Sequence, residues 1–368
     1  MFVLEILYTW TMLTIVNYQV EVQTLFRKKF LGNLFGAIVM LFLLSSSAVG
    51  VLTTNIKEIG EVIPSNDDPI AIPLDKGTHT VFGEYATATT CGYCKYAHGA
   101  LKEIYAEGLY EFYYVSHVAN KNIHANQRLH LNYNIYGYPT IFFDGGYQVK
   151  VGAGSIPSAK AAYISAINVC GARAVPDIEA SLTVIWVDDA TMDITITVQN
   201  NDVNDYVGTL RVFVTEIEST LGWKDTAGYP YTFPFLEYAF NQDIQIPAGE
   251  TWQGSTLWDG HDYNSGYGQD FGSITRENTM VIAAVYNEEW HQGYAYPPNQ
   301  NPFDAYYVDE TTAVIPTLAG DANADGTVNI DDLFFVLGHW GEAGGPADVN
   351  NDGTVNIDDI FYVLGHWT

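Results

Sequence analysis

Cys91 and Cys94 stand in Thr89-Thr90-Cys91-Gly92-Tyr93-Cys94-Lys95, between a strand-like run (Val81 to Ala86) and a helix-like run. A helix that starts beside Cys91 points unpaired backbone N–H groups and the positive end of its dipole at that sulfur, favouring thiolate over thiol. Cys91 is therefore the expected attacking nucleophile, and Cys94, one turn further in, is placed to resolve a mixed disulfide. The following residues repeat an apolar stripe at Ala97, Leu101, Ile104 and Tyr105, and Gly108 offers a stop. Strand, turn and helix thus surround the pair, the context in which C-x-x-C does redox work. A zinc site would need a second ligand pair, and the only other cysteine is Cys170; a c-type haem would need histidine where Lys95 stands. A copper or zinc site from Cys91, Cys94 and His98 is a minor alternative, since His98 reads as a partly exposed helix residue. Redox exchange ranks ahead of a static Cys91–Cys94 disulfide, and both rank ahead of a metal.

A second constellation lies near the C-terminus. Asp321, Asn323, Asp325, Asn329 and Asp332 supply oxygen side chains at positions 1, 3, 5, 9 and 12 of a loop with Gly326 at position 6 and Thr327 at 7. The same twelve-residue loop returns after 27 residues as Asp348, Asn350, Asp352, Gly353, Thr354, Asn356 and Asp359. A sharp turn at glycine, a backbone carbonyl at position 7 and surrounding oxygens meet the needs of a hard cation, so two calcium ions are expected. Each loop precedes nearly the same helix, expected at Leu333 to Trp340 and Ile360 to Trp367.

These sites need scaffolds. Around the cysteines the pattern predicts strand (Val81 to Ala86), helix (Cys94 to Glu107), strand (Phe112 to Val118), an irregular or helical insert (Asn120 to Tyr136), strand (Thr140 to Phe143), a turn at Asp144-Gly145-Gly146, strand (Tyr147 to Val151) and helix (Pro157 to Cys170). Ser155 caps that last helix, and its stripe is Ala159, Ala162, Tyr163, Ala166, Ile167 and Cys170, which makes Cys170 a packing cysteine. Beyond Pro176 the period becomes alternating: Ile178, Ala180, Leu182, Val184 and Trp186, then Met192, Ile194, Ile196 and Val198. Further strands are predicted at Thr209 to Glu216, Asp243 to Pro247 and Thr279 to Tyr286, giving an antiparallel sandwich of immunoglobulin-like type. Aromatic-rich loops are expected between them, at Tyr229 to Phe240, Trp252 to Phe271 and Trp290 to Tyr307; filling of the sandwich is favoured over a sugar-stacking or protein-binding surface.

The chain has 368 residues and a net charge of −28 from 43 acidic and 15 basic residues. That balance argues against nucleic acid or an anionic membrane as partner. Arg27-Lys28-Lys29, an apolar run from Phe30 to Leu44 and small residues from Ser45 to Gly50 read as an export signal cleaved near Ala48 or Gly50. A secreted, extracellular or cell-envelope protein is expected; an uncleaved anchor is the alternative. Residues 1 to 24 read as a misassigned start or a weak first membrane segment. The expected division is an extension and signal peptide (1–50), a linker (51–75), a redox domain (76–172), a β-sandwich (175–316) and a calcium module (319–368).

Residues 76 to 172 resemble the thioredoxin superfamily through Cys91-Gly92-Tyr93-Cys94-Lys95 and Gly137-Tyr138-Pro139-Thr140, and Thr-Thr-Cys-Gly-Tyr-Cys followed by a β-rich extension looks most like its secreted bacterial-envelope members of Omp type. The resemblance implies that Pro139 is a cis-proline facing the dithiol, and that the acid often buried in the preceding strand is Glu84, displaced by one position. Residues 319 to 368 resemble the type I dockerin, which implies a cohesin-like partner and an association with polysaccharide breakdown. The fold expected is therefore multidomain α/β plus all-β, with a small helical calcium module. The function expected is that of a secreted thiol–disulfide oxidoreductase acting on a disulfide or dithiol protein. The alternative is a non-catalytic extracellular scaffold, or an accessory protein of polysaccharide degradation, with a static disulfide.

Overall fold

The computed structural model describes residues 77–350 and 352–367. The expected export signal and linker lie outside the described residues. Within them a mixed α/β part is followed by a β-rich part and two short helices. Among the described residues no helix is long and apolar enough to cross a membrane.

The first sheet comprises β1 (Val81–Thr87), β2 (Phe112–Val118), β3 (Thr140–Phe143) and β4 (Gln148–Val151), in the order β2-β1-β3-β4. β1 and β2 run parallel, so the chain must cross over between them, and helix α1 (Cys94–Glu107) makes that crossover. Gly108, in the left-handed region at φ 60°, ends α1. Helix α2 (Ile123–Gln127) is capped by Asn122, whose side chain accepts from the His124 and Ala125 N–H groups, and it runs on into a π-helical turn (Arg128–Asn132). Helix α3 (Ile156–Gly171) is capped by Ser155, which accepts from the Ser158 N–H at 3.3 Å. Ala159, Tyr163, Ala166, Ile167 and Cys170 are buried on α3, whereas Ala162, expected on the same stripe, is exposed because only one side of the helix is covered. Every residue of β1 is buried, as befits a strand covered on both faces. Tyr85 faces α1, donating to the Cys94 carbonyl at 2.8 Å, while Phe82, Glu84 and Ala86 face the other way.

That other face meets the β-rich part, in which β5 (Ile178–Asp188), β6 (Thr191–Asn200), β7 (Tyr206–Glu216), β8 (Phe235–Ile246), β9 (Thr251–Asp259), β10 (Thr279–Tyr296), β11 (Gln300–Val314) and β12 (Thr317–Leu318) form two sheets, ordered β11-β10-β7-β8 and β12-β5-β6-β9. Met192, Ile194, Ile196 and Val198 are fully buried at alternate positions of β6. The three stretches expected as aromatic loops are partly strand: β8 begins at Phe235, β9 occupies Thr251–Asp259, and β10 and β11 take up most of Trp290 to Tyr307. Bulges in β7–β8 and β10–β11 break the two-residue period there, and most of β9 is not buried on either face, so the sequence lacks the alternation that marks a strand.

The two parts share one buried cluster. Gly145 (φ 66°) shows how closely they meet: a Cβ there would lie 1.8 Å from the Tyr306 carbonyl oxygen. Arg173, just after α3, donates to Asp309 at 2.8 Å. Glu84 is wholly buried and accepts from Arg128 Nε at 3.0 Å and Nη2 at 2.6 Å, from His117 Nε2 at 2.8 Å, from Tyr286 of β10 at 2.7 Å and from Tyr133. Burial opposes its charge, but Arg128 and His117 outweigh that and hold the Glu84 carboxyl well below its usual range.

At the C-terminus α4 (Ile330–Gly338) and α5 (Ile357–Gly365) begin three residues before the expected starts and stop before Trp340 and Trp367. The reason is the capping box: Asn329 with Asp332, and Asn356 with Asp359, satisfy the first N–H groups and set each start. Ala322, Val328, Val336, Ala347, Val355 and Val363 form a small separate core.

Candidate dithiol site and C-terminal acidic loops

Cys91 and Cys94 form a disulfide with Cα atoms 5.3 Å apart. Cys94 is the first residue of α1 and is fully buried, whereas Cys91 is partly exposed. The helix cap Tyr93 offers no side-chain acceptor, and the Cys94 N–H instead reaches Cys91 Sγ at 3.2 Å. An uncapped helix start therefore donates to the accessible sulfur, which favours negative charge there. The Tyr138–Pro139 peptide bond is cis. Tyr138 joins Thr90, Tyr93, Asn120, Asn126 and Tyr267 around a groove of about 580 Å³ that opens over Cys91.

Glu84 does not serve this site. It is buried, but strand alternation turns it to the face of β1 away from Cys94, where Arg128 and His117 engage it. Cys170 is fully buried in α3; burial, and Asp144 nearby, push its thiol up, which leaves it a packing residue without thiolate character.

His98 departs from the expected partly exposed helix position. It is 1% exposed, and both ring nitrogens are engaged: Nδ1 with Asp225 Oδ2 at 2.9 Å, and Nε2 accepting from the Thr232 N–H at 3.2 Å. A ring held in this way has no nitrogen to offer a metal. Burial works against the Asp225 charge, yet the His98 bond and the N–H groups of Ala227 and Tyr229 hold its carboxyl below the usual range. The segment around Asp225 also grips the start of α1. Thr226 Oγ1 donates to the Cys91 carbonyl at 3.4 Å, and Tyr231 meets Thr87 Oγ1 at 2.9 Å and the Ala88 carbonyl at 3.1 Å. Sequence reasoning missed Asp225, Thr226, Tyr231 and Tyr267, because they come from the β-rich part more than 120 residues along the chain and no local period marks them.

The twelve-residue loops have the same internal hydrogen bonding. Asp321 accepts from Asp325 and Gly326 at 3.0 and 2.8 Å, and Asp348 accepts from Asp352 and Gly353 at 3.1 and 2.9 Å. Asp332 accepts from Asn323 and Asn329, and Asp359 from Asn350 and Asn356. Gly326 and Gly353 take φ of 90° and 93°, the left-handed turn only glycine makes without strain. Among the described residues no group of three or more His, Cys, Asp or Glu side chains is gathered closely enough to hold a metal ion. Two of the five side-chain donors in each loop are asparagines, Asn323 and Asn329 or Asn350 and Asn356, and the carboxylates are turned onto backbone N–H groups. Burial pushes the Asp321 carboxyl up against the N–H groups of Gly326 and Asp325, with a smaller push from the Asp332 and Asp325 charges. On the outer surface Ile330, Phe334, Leu337 and Trp340 are exposed, as are their repeat counterparts Ile357, Phe361, Leu364 and Trp367.

No protein-family model matches the chain, and no curated protein matches it. Among solved structures it is similar to HBP35 of Porphyromonas gingivalis, at 15% identity over 66% of this chain and 76% of that one, with a TM-score of 0.47. A structural-genomics protein from Agrobacterium tumefaciens aligns at 11% identity over 64% of this chain and 94% of that one, with a TM-score of 0.36. The CARDB domain of the PF1109 protein from Pyrococcus furiosus, solved in complex with di-metal ions, aligns at 14% identity over 37% of this chain and 88% of that one, with a TM-score of 0.19.

Proposed function

We propose that the chain is a thiol–disulfide oxidoreductase whose first sheet and flanking helices make a thioredoxin-like unit around Cys91 and Cys94. The observation that carries this reading is the asymmetry of the pair: Cys91 is accessible and receives the first N–H of α1, while Cys94 is buried behind it. That asymmetry assigns the roles. In the reduced chain the Cys91 thiolate attacks one sulfur of a substrate disulfide, forming a mixed disulfide and expelling the other sulfur as a thiolate that takes up a proton. Cys94 then loses its proton and attacks Cys91 Sγ, releasing the second substrate thiol and closing the Cys91–Cys94 bond. Two electrons pass to the substrate, and a dithiol or thiol donor such as glutathione returns the chain to its reduced form; the reverse sequence oxidises a substrate dithiol. Pro139, in a cis bond after the groove-lining Tyr138 and just before β3, would close the opposite wall of the site.

The C-terminal segment is read as a dockerin-like calcium module. Asp321, Asn323, Asp325, the Thr327 carbonyl, Asn329 and Asp332 would hold one ion, and Asp348, Asn350, Asp352, the Thr354 carbonyl, Asn356 and Asp359 a second. Oxygen donors in a glycine-pivoted loop support that choice of cation. Calcium would offset the charge of the three donor carboxylates in each loop. The two exposed apolar stripes on α4 and α5 support attachment to a cohesin-like partner. Export to the outside or the cell envelope completes the reading.

The test is turnover of a cystine-bridged polypeptide by the full chain with glutathione as donor. The reading requires catalysis that is lost in Cys91→Ser; a wild-type chain that turns over no disulfide would leave the static bridge as the function of the pair.

A further inference from the structure

The groove over Cys91 is not built by the mixed α/β part alone. Tyr267 comes from the β-rich part, between β9 and β10, and lines the groove while standing 58% exposed. Its loop is held from two sides. The Ile123 N–H donates to the Ser265 carbonyl at 2.8 Å, and a Cβ on Gly266 (φ 76°) would lie 2.4 Å from Ile123 Cγ2. On the other side Gln269 accepts from Trp223 Nε1 at 2.8 Å and donates to the Leu221 carbonyl at 3.0 Å. Within the loop Ser265 N–H bonds the Gln269 carbonyl at 2.7 Å, and Tyr267 N–H bonds Ser265 Oγ at 3.2 Å. An exposed aromatic ring on a pinned loop is pre-organised for contact and loses little freedom when it is covered. Tyr138 is half-buried and lines the same groove, and burial together with the Tyr267 hydroxyl pushes its phenol up. The groove's lining, from Thr90 and Tyr93 to Asn120 and Asn126, carries no charged side chain on a chain of net charge −28.

We infer that Tyr267 is a specificity residue of the dithiol site, and that with Tyr138 it seats an uncharged polypeptide segment whose half-cystine is delivered to Cys91. The inference rests on the oxidoreductase reading and names its substrate class: a cystine-bearing polypeptide with an apolar or aromatic side chain beside the reacting sulfur. Two flat rings and carboxamide groups suit an extended chain, whose side chain stacks while its backbone groups meet amides. A lone small disulfide has no side chain to set on Tyr267.

The experiment uses the full chain with glutathione as donor and compares kcat/KM for two substrates. One is a cystine-bridged peptide with phenylalanine next to each half-cystine, and the other is hydroxyethyl disulfide. In Tyr267→Ala the ratio of the two kcat/KM values, peptide over small disulfide, falls about tenfold, carried by KM for the peptide, and Tyr267→Phe restores it. A ratio within about twofold of the wild type in Tyr267→Ala overturns the inference and leaves the oxidoreductase reading standing. If the wild type turns over neither substrate, the reading itself falls and the inference goes with it.

Discussion

Replacing Arg128 by methionine removes the guanidinium that makes two of the five donor contacts on Glu84, a carboxylate with no exposure to water. Methionine keeps much of the volume, so the loss is chiefly electrostatic: a buried carboxylate is stranded, at a cost of about 3–5 kcal/mol. Glu84→Gln strands the Arg128 guanidinium instead and should cost a similar amount. The double variant carries neither charge, so its loss should fall short of the sum of the single losses by about 1–3 kcal/mol. The sign with pH follows from the depressed Glu84 carboxyl. The unfolded chain has this group at about 4.3, so the stabilisation is complete above that value and drains away as pH falls from there through the lower folded value. Arg128→Met should therefore lie closer to the wild type at pH 3 than at pH 7. Urea unfolding followed by fluorescence at the two pH values measures this. Because Tyr286 of β10 shares the carboxylate, both parts of the molecule should lose stability together. A single-variant loss below about 1 kcal/mol at pH 7, or strict additivity in the double variant, would mean that the Glu84–Arg128 pair does not carry this stability. Glu84→Gln should also leave the pH profile of Cys91 alkylation unmoved, since Glu84 lies on the far face of β1.

The full chain should bind two calcium ions by titration calorimetry, and Asp325→Ala and Asp352→Ala should each remove one; one site or none in the wild type contradicts the loop assignment. Gly145→Ala should destabilise the chain by at least about 2 kcal/mol in thermal or urea unfolding, because the left-handed backbone and the Tyr306 carbonyl both exclude a Cβ. An unfolding midpoint equal to wild type would mean that the turn does not press on β11.

How much of this was legible depended on range. β2 and β3 have the predicted bounds because each is a short run rich in aromatic and β-branched residues closed by turn residues, and α1 because its stripe is uninterrupted to Gly108. The end of β8 was legible in the strand expected at Asp243 to Pro247, but its first half, β9 and β11 were hidden by bulges, and by faces on which Tyr, Trp, Asn and Thr stand where an alternating pattern would put apolar residues. The dithiol and the twelve-residue loops are local motifs, and spacing alone exposes them. The surroundings of the dithiol are not local. His98 looks like a surface helix residue until Asp225 and Thr232, 127 and 134 residues away, cover it. Glu84 was visible as a buried acid, but only the sheet shows that it faces away from Cys94.

Whether Cys91 attacks and Cys94 resolves is read from which sulfur a substrate is trapped on. Cys94→Ser in the full chain is incubated with a cystine-bridged polypeptide, the free thiols are alkylated, and the linked sulfur is located by mass spectrometry. The geometry predicts a mixed disulfide through Cys91, little trapping in Cys91→Ser, and near wild-type turnover in Cys170→Ser, because burial keeps that thiol protonated. Attachment through Cys170, or no adduct in Cys94→Ser together with no turnover by the wild type, would contradict it.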